Sequence, residues 1–278
     1  MVEQFKTIVV GRGMMGAAAA RYLALSGEDV AVIGPDEPKD WGRHDGVFAS
    51  HYDEARITRT IDSDPVWARM ANRSIARYGA IAAESGIEFY QEVGCLIVGP
   101  KRGGRDPYIA QVTAAASTLE VETDLLSSDD LKQRFSYFEF GDACEGVYEG
   151  RNAGYVNPRR LVEAQSLLAE KAGARVIRQV AVSVREEPGV CVVTTDDGAV
   201  YMADRVLVAA GGFTINENLL PRSLDLKVYG RTVAFFEIPE ADLPVYSGMP
   251  SLIHQPDDPV DHIYLLPPVR YPDGKTYL

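Results

Sequence analysis

One stretch near the N-terminus, residues 6–34 (KTIVVGRGMMGAAAARYLALSGEDVAVIG), constrains the fold more than any other. Ile8, Val9 and Val10 form the short apolar run expected of a parallel strand buried on both faces. Gly11, Arg12, Gly13, Met14, Met15 and Gly16 then spell G-x-G-x-x-G where a strand pattern gives way to a helix pattern. The first glycine makes the tight turn. The second lets a pyrophosphate approach the backbone, and the third lets the helix pack closely on the strand. Residues 17–25 favour helix. Gly27 ends that helix, and residues 30–33 supply a second strand. The pattern predicts a β–α–β dinucleotide-binding unit whose helix N-terminus turns unpaired amides toward phosphates. The bland alternative is a glycine turn that packs tightly and binds nothing. One position departs from the pattern: Gly34 stands where an acid ordinarily bonds the adenosine ribose, and Asp36 and Glu37 follow as possible substitutes.

A chain of 278 residues can bury a substantial core in two domains. Its 28 basic against 40 acidic residues give a net charge of -12, which opposes binding to nucleic acid or to an anionic membrane surface. No apolar run is long enough to span a bilayer, and the first strand lies so close to the N-terminus that no signal peptide is expected. Cys95, Cys144 and Cys191 are odd in number and widely spaced, so they predict neither a disulfide framework nor a metal site. A reducing cytoplasm is the expected compartment. The four histidines make no ligand pair, and no metal is expected.

Further on, residues 48–59 (FASHYDEARITR) carry Ser50, His51, Tyr52, Arg56 and Arg59. The two arginines stand three apart, so one helical turn would give them a shared face able to hold a phosphate, a flavin edge or a carboxylate. A solvated turn neutralised by Asp53 and Glu54 is an equal alternative. Residues 64–85 predict one long helix with Asp64 as N-cap and Pro65 in its first turn. Trp67, Met70, Ile75, Tyr78 and Ile81 are its expected core face. Strands are expected within 88–100, helices over 108–119 and 159–172, and strands at 180–185, 190–195, 199–202 and 205–209. Ala210, Gly211 and Gly212 follow as a small-residue turn. Residues 228–238 (VYGRTVAFFEI) read as an alternating strand.

Taken in order, IVVGRGMMGAAAARYLA, SHYDEARITR, GCLIVGP, GYVNPRRLVEA with GARV, and RVLVAAGGFT resemble the D-amino-acid-oxidase superfamily of FAD-dependent oxidoreductases. The likeness is greatest to the monomeric sarcosine oxidase and N-methyl-amino-acid oxidase branch. It implies an α/β fold, in which a Rossmann-like FAD-binding domain (1–93 and 150–222) is interleaved with an α+β substrate domain (94–149 and 223–278). The latter should contain a large antiparallel sheet. The cofactor residues implied are Gly11, Arg12, Gly13, Met14, Met15, Gly16, Gly34, Ser50, His51, Arg56, Val180, Ala210 and Gly211. Tyr52, Arg56 and Arg59 would form the catalytic group, with Arg59 binding a substrate carboxylate. The implied reaction oxidises the C–N bond of an amine or N-methyl amino acid, with imine and hydrogen peroxide as products. Tyr52 stands where this branch has a histidine, and Leu265, beside Tyr264, stands where it has a tyrosine. The family's C-terminal part, with its oxygen-activating lysine and last FAD-binding segment, has no counterpart here. Two alternatives are an NADP enzyme, with Arg12, Lys39 and Arg43 receiving the extra phosphate, and a non-catalytic truncated remnant of the fold.

Overall fold

The N-terminal strand is built from residues that water rejects: Phe5, Ile8, Val9 and Val10 are all buried. In the computed structural model, which describes residues 2–256 and 258–278, this strand is β1 (Glu3–Val10). The chain continues through α1 (Met14–Leu25), β2 (Val30–Ile33), β3 (Arg56–Thr58), α2 (Pro65–Ile75), α3 (Tyr78–Ser85), β4 (Tyr90–Gln91) and β5 (Cys95–Pro100). Next come α4 (Tyr108–Thr118), β6 (Asp124–Leu126), α5 (Ser128–Arg134), β7 (Cys144–Glu149), β8 (Gly154–Val156) and α6 (Pro158–Lys171). The last elements are β9 (Arg175–Ile177), β10 (Ala181–Glu187), β11 (Val190–Thr195), β12 (Val200–Val208), β13 (Ser251–His254), β14 (Ile263–Leu265), β15 (Val269–Arg270) and β16 (Thr276–Tyr277).

The chain divides into two compact units. The first takes the chain up to Asp53, then Ile81–Glu88 and Pro158–Thr232. The second takes Glu54–Ala80, Phe89–Asn157 and Val233–Leu278. Segment 54–80, grouped by sequence with the nucleotide-binding part, thus packs with the second unit.

The first unit is organised by a six-stranded sheet in the order β10-β11-β12-β1-β2-β9. Its β12, β1, β2 and β9 run parallel, and β10 and β11 join as an antiparallel meander. On one side Val9, Val30, Val32 and Val176 meet Ala20, Ala24 and Ala169 of α1 and α6. Alanines at that contact let the helices lie close to the sheet. On the other side Ile8, Val10, Ile33, Ile177 and Val193 form a second apolar layer. Each buried branched side chain contributes about 1.5–3 kcal/mol relative to exposure, so β1, covered on both sides, is the anchor of this unit.

The second unit holds a five-stranded sheet in the order β14-β13-β5-β7-β6 and a three-stranded sheet β3-β8-β4. The larger sheet is mixed rather than wholly antiparallel, because β13 runs parallel to β5. Ile97, Val147 and Ile253 pack under Ile109 and Val112 of α4. Leu96, Val98 and Leu252 pack under Leu131 and Phe135.

Three local expectations differ from what forms. The long helix over 64–85 is two helices, α2 and α3. Its start is as read: the Asp64 carboxylate accepts from the amides of Val66 (2.7 Å) and Trp67 (3.3 Å). Its inward face is Ala68, Asn72 and Ile75, with the Asn72 side-chain amide donating to Thr60 O at 2.7 Å. Trp67 and Met70 therefore lie on the outer face, 66% and 57% exposed, not in the core. The pieces 199–202 and 205–209 merge into one strand, β12, because β1 pairs along it from Tyr201 to Val208. Residues 228–236 form no strand, and Tyr229, Val233, Phe235 and Phe236 are exposed. Alternation supplies a face but not a ladder partner; backbone pairing begins at the end of this stretch, where Phe236 and Leu278 exchange amide bonds (3.1 and 3.0 Å) and Glu237 bridges Tyr277.

Candidate functional site

The glycine turn is dictated by contacts with backbone. Gly11 has φ +103, and a Cβ there would fall 2.4 Å from Ala209 O. A Cβ on Gly16 would fall 1.7 Å from Gly11 O, so α1 can start here only with glycine at its third residue. Gly13 is different. A Cβ there would meet only His51 Nδ1, at 3.7 Å, so the space in front of it is open. Gly13 is the N-cap of α1, no side chain caps that end, and its first turn carries no acid. Met15 is 80% exposed. The result is an open, uncapped helix N-terminus with positive character, which attracts anions.

Arg12 points away from that opening. Its Nε donates to Gly34 O (3.2 Å) and its Nη2 to Pro35 O (3.1 Å), and it also pairs with Asp36. A Cβ on Gly34 would lie 2.5 Å from Arg12 Cβ and 2.6 Å from Arg12 N. The end of β2 is thus pressed against the glycine turn, and no side chain fits at 34. The two acids expected to replace the missing one are both engaged. Asp36 pairs with Arg12 and lies 3.5 Å from Arg178, while Glu37 receives Arg159 Nε (2.8 Å) and Nη2 (2.9 Å).

The loop between β2 and β3 is held by aromatic contacts. Trp41 meets Phe48 edge-on at 5.7 Å, Phe48 meets Tyr52 at 5.0 Å, and Tyr52 meets His51 at 4.5 Å. The Arg159 guanidinium lies over Trp41 at 5.2 Å. Ser50 is exposed, whereas His51 and Tyr52 are buried. A cavity of about 500 Å³ in the first unit borders Arg12, Asp36, His51, Tyr52, Arg159 and Ser166. The hydroxyls of Tyr52 and Ser166 are buried without a hydrogen-bond partner. Burial raises the Tyr52 phenol above its usual range, opposed by Arg12.

The other first-unit candidates lie after β9 and β12. The amide of Val180 donates to the Asp196 carboxylate (3.1 Å), and its carbonyl accepts from the Asp196 amide (2.9 Å). Ala210 caps a short 3-10 turn, Gly211–Ile215. Gly211 has φ +56 and nothing within 4 Å of a Cβ position. That turn, like the opening at Gly13, leaves room for a ligand to approach backbone.

Arg56 and Arg59 belong to the second unit. Arg56 opens β3, paired with Val156. β3 makes the segment a strand rather than a helical turn, so a shared helical face does not arise. Arg59 pairs with Asp62, and its Nε is buried without a partner. Thr60, the next residue, is tied to Glu149 at the end of β7. Its amide lies 3.0 and 3.2 Å from the two carboxylate oxygens, and its hydroxyl also donates to Glu149. Glu149 is completely buried, and burial pushes its carboxyl up to about 7 despite donors from Thr60 and Ile61 and the nearby Arg59. Sequence reading passed over Glu149, since its partner lies 89 residues away. Its strand, CEGVYE, carries two acids, Glu145 and Glu149, and the sequence does not mark the second as the buried one.

A dinucleotide fits this cradle: Gly13 and Gly211 face open space, and the end of α1 is free of capping side chains and acids. Among the described residues, no group of three or more His, Cys, Asp or Glu is placed to hold a metal ion. No described helix is long and apolar enough to cross a membrane. The chain is similar to the monomeric sarcosine oxidase of Bacillus sp. (strain B-0618), 27% identical over 246 residues, or 87% of this chain and 60% of that protein. It is 26% identical over 220 residues to N-methyl-L-tryptophan oxidase of Yersinia pestis (strain Pestoides F), covering 78% of this chain and 56% of the relative. The chain therefore spans about 60% of the length of the first of these relatives. Among solved structures it superposes on L-proline dehydrogenase from P. horikoshii with TM-score 0.72 at 17% identity, covering 100% of this chain and 70% of that one. It also superposes on NikD, an amino acid oxidase, with TM-score 0.69 at 21% identity, covering 99% and 69%. These two likenesses show the fold. A family model described as "DAO: FAD dependent oxidoreductase" matches residues 6–278, and the chain belongs to that family.

Proposed function

We propose that this chain carries the cofactor site of an FAD-dependent enzyme that oxidises the C–N bond of an amine or N-methyl amino acid, giving an imine and hydrogen peroxide. The observation that carries the reading is the open end of α1 at Gly13, in a chain of this family. The amides of Gly13, Met14 and Met15 would receive the pyrophosphate, with Gly11 and Gly16 providing the close packing that exposes them. Arg12 and Gly34 would shape the ribose end through backbone, because the Arg12 side chain is already bonded to Gly34 O and Pro35 O. Ser50 and His51 would line the flavin, Val180 would meet the adenine through its side chain, and Ala210 and Gly211 would flank the phosphates. FAD, when bound, supplies the hydride acceptor. The chain's own part is to orient the amine and keep it unprotonated. A positive Arg56 nearby disfavours the ammonium form.

Arg59 is assigned to a carboxylate on the substrate. Its pairing with the carboxylate of Asp62 supports that assignment. The names of the two relatives, oxidases of sarcosine and of N-methyl-L-tryptophan, support an N-methyl amino acid as the substrate class. Tyr52 stands beside His51 with a buried, unpartnered hydroxyl that can bond a ligand. The NADP alternative loses its main cation, since Arg12 is committed to the end of β2. Cys95, Cys144 and Cys191 form no disulfide, which suits a reducing compartment such as the cytoplasm. A peroxide-coupled screen of secondary amines with FAD-loaded protein tests the reading. Turnover of at least one N-methyl amino acid is expected. FAD binding without turnover of any amine would contradict it.

A further inference from the structure

The turn that carries Arg59 is held from three directions within the second unit. Asp62 pairs with the Arg59 side chain. Asn72, on the inward face of α2, donates to the carbonyl of Thr60 at 2.7 Å. Glu149, at the end of β7, accepts from the Thr60 amide and hydroxyl and from the Ile61 amide. A fully buried carboxylate is costly unless its acceptors are used. Here both oxygens are spent on two consecutive backbone amides and one hydroxyl, all directly after Arg59. β7 lies inside the sheet, paired with β5 and β6, and Glu149 itself is paired with Cys95 of β5, so the clamp is mounted on a laddered strand.

We propose that Glu149 is a positioning residue for Arg59, fixing the turn from which that guanidinium reaches a carboxylate ligand. The proposal rests on the reading of Arg59 as the carboxylate-binding group. Arg59 projects from a segment whose backbone has no strand partner of its own beyond Thr58, so the Thr60 and Ile61 bonds set where the side chain begins. A long flexible side chain binds a carboxylate well only when its stem is fixed, because otherwise ordering it opposes binding. The groups facing Glu149 are Arg59 from its own turn, Cys95 opposite it on β5, and Tyr90 on β4. Burial pushes the Cys95 thiol up to about 12 and raises the Tyr90 phenol, so Glu149 is the group of this set that titrates near neutrality.

Two readouts on the full FAD-loaded chain test this. The first is amide hydrogen exchange at Thr60 and Ile61. The second is the dissociation constant of acetate, used as a bare carboxylate probe and followed by saturation transfer to its methyl protons. Glu149→Gln should speed exchange at both amides at least tenfold and weaken acetate about tenfold, with FAD affinity unchanged. Thr60→Ala, which removes the hydroxyl bond and keeps the Thr60 amide, should weaken acetate about threefold. Adding Glu149→Gln to Arg59→Ala should weaken acetate no further than Arg59→Ala alone. Faster exchange with unchanged acetate binding in both variants would overturn the proposal and leave Glu149 a structural residue. Unchanged acetate binding in Arg59→Ala would overturn the reading of Arg59 and the proposal with it.

Discussion

The glycine turn of the first unit and the Arg59 turn of the second are both proposed to present a charge-binding group, yet they are made differently. At the glycine turn the groups assigned to phosphate are backbone amides, and three glycines within six residues leave the approach open. At Arg59 the proposed binding group is a side chain, and the turn that carries it is bonded to Glu149, 89 residues from Thr60. A backbone device is written into neighbouring residues. A side-chain device depends on what the fold brings alongside.

That contrast predicts different ways to fail. The largest effect is expected from Gly16→Ala, whose Cβ would overlap Gly11 O. Loss of about 3 kcal/mol or more, measured by denaturant unfolding, is expected; a variant as stable as the parent would break the account of the turn. The next concerns Glu149, whose carboxyl is raised from 4.5 to about 7. The folded state then binds the extra proton between those values, so its contribution to stability is full below 4.5 and is lost as pH rises through 7. The loss is on the order of 3 kcal/mol. Subtracting the stability profile of Glu149→Gln from that of the parent isolates it, and identical slopes would remove Glu149 from the picture.

Smaller effects sharpen the comparison. Gly34→Glu would restore an acid at the ribose position, but its Cβ meets Arg12 backbone and side chain. It should cost about 1–3 kcal/mol by unfolding and weaken FAD rather than tighten it. Asp64→Ala removes a local cap of α2, within the second unit but of the short-range kind. About 1 kcal/mol is expected in thermal unfolding, with no change at the Thr60 amide.

The same contrast explains what could be read from residues alone. The β1–α1–β2 unit, its glycine turn, the Asp64 cap and the helices over 108–118 and 158–171 were legible because each rests on local geometry. Trp67 and Met70 misled because the inward face of α2 is set by Asn72 reaching Thr60, which no helical period announces. Gly34 read as a missing acid, since its tight contact with Arg12 exists only once β2 lies beside the turn. Residues 228–236 had the alternation of a strand, but a ladder needs a partner. Glu149 could not be found, because a buried acid is recognisable only by what surrounds it.

The central claim is that the open end of α1 receives the pyrophosphate of FAD, and Gly13→Ala addresses it most directly. A Cβ there meets only His51 Nδ1 at 3.7 Å, so the fold should keep its stability to within about 0.5 kcal/mol. The added methyl enters the space assigned to phosphate. In an equilibrium titration followed by flavin fluorescence, Gly13→Ala is expected to weaken FAD at least tenfold while unfolding at the same denaturant concentration as the parent. FAD binding by Gly13→Ala as tight as by the parent would contradict the claim.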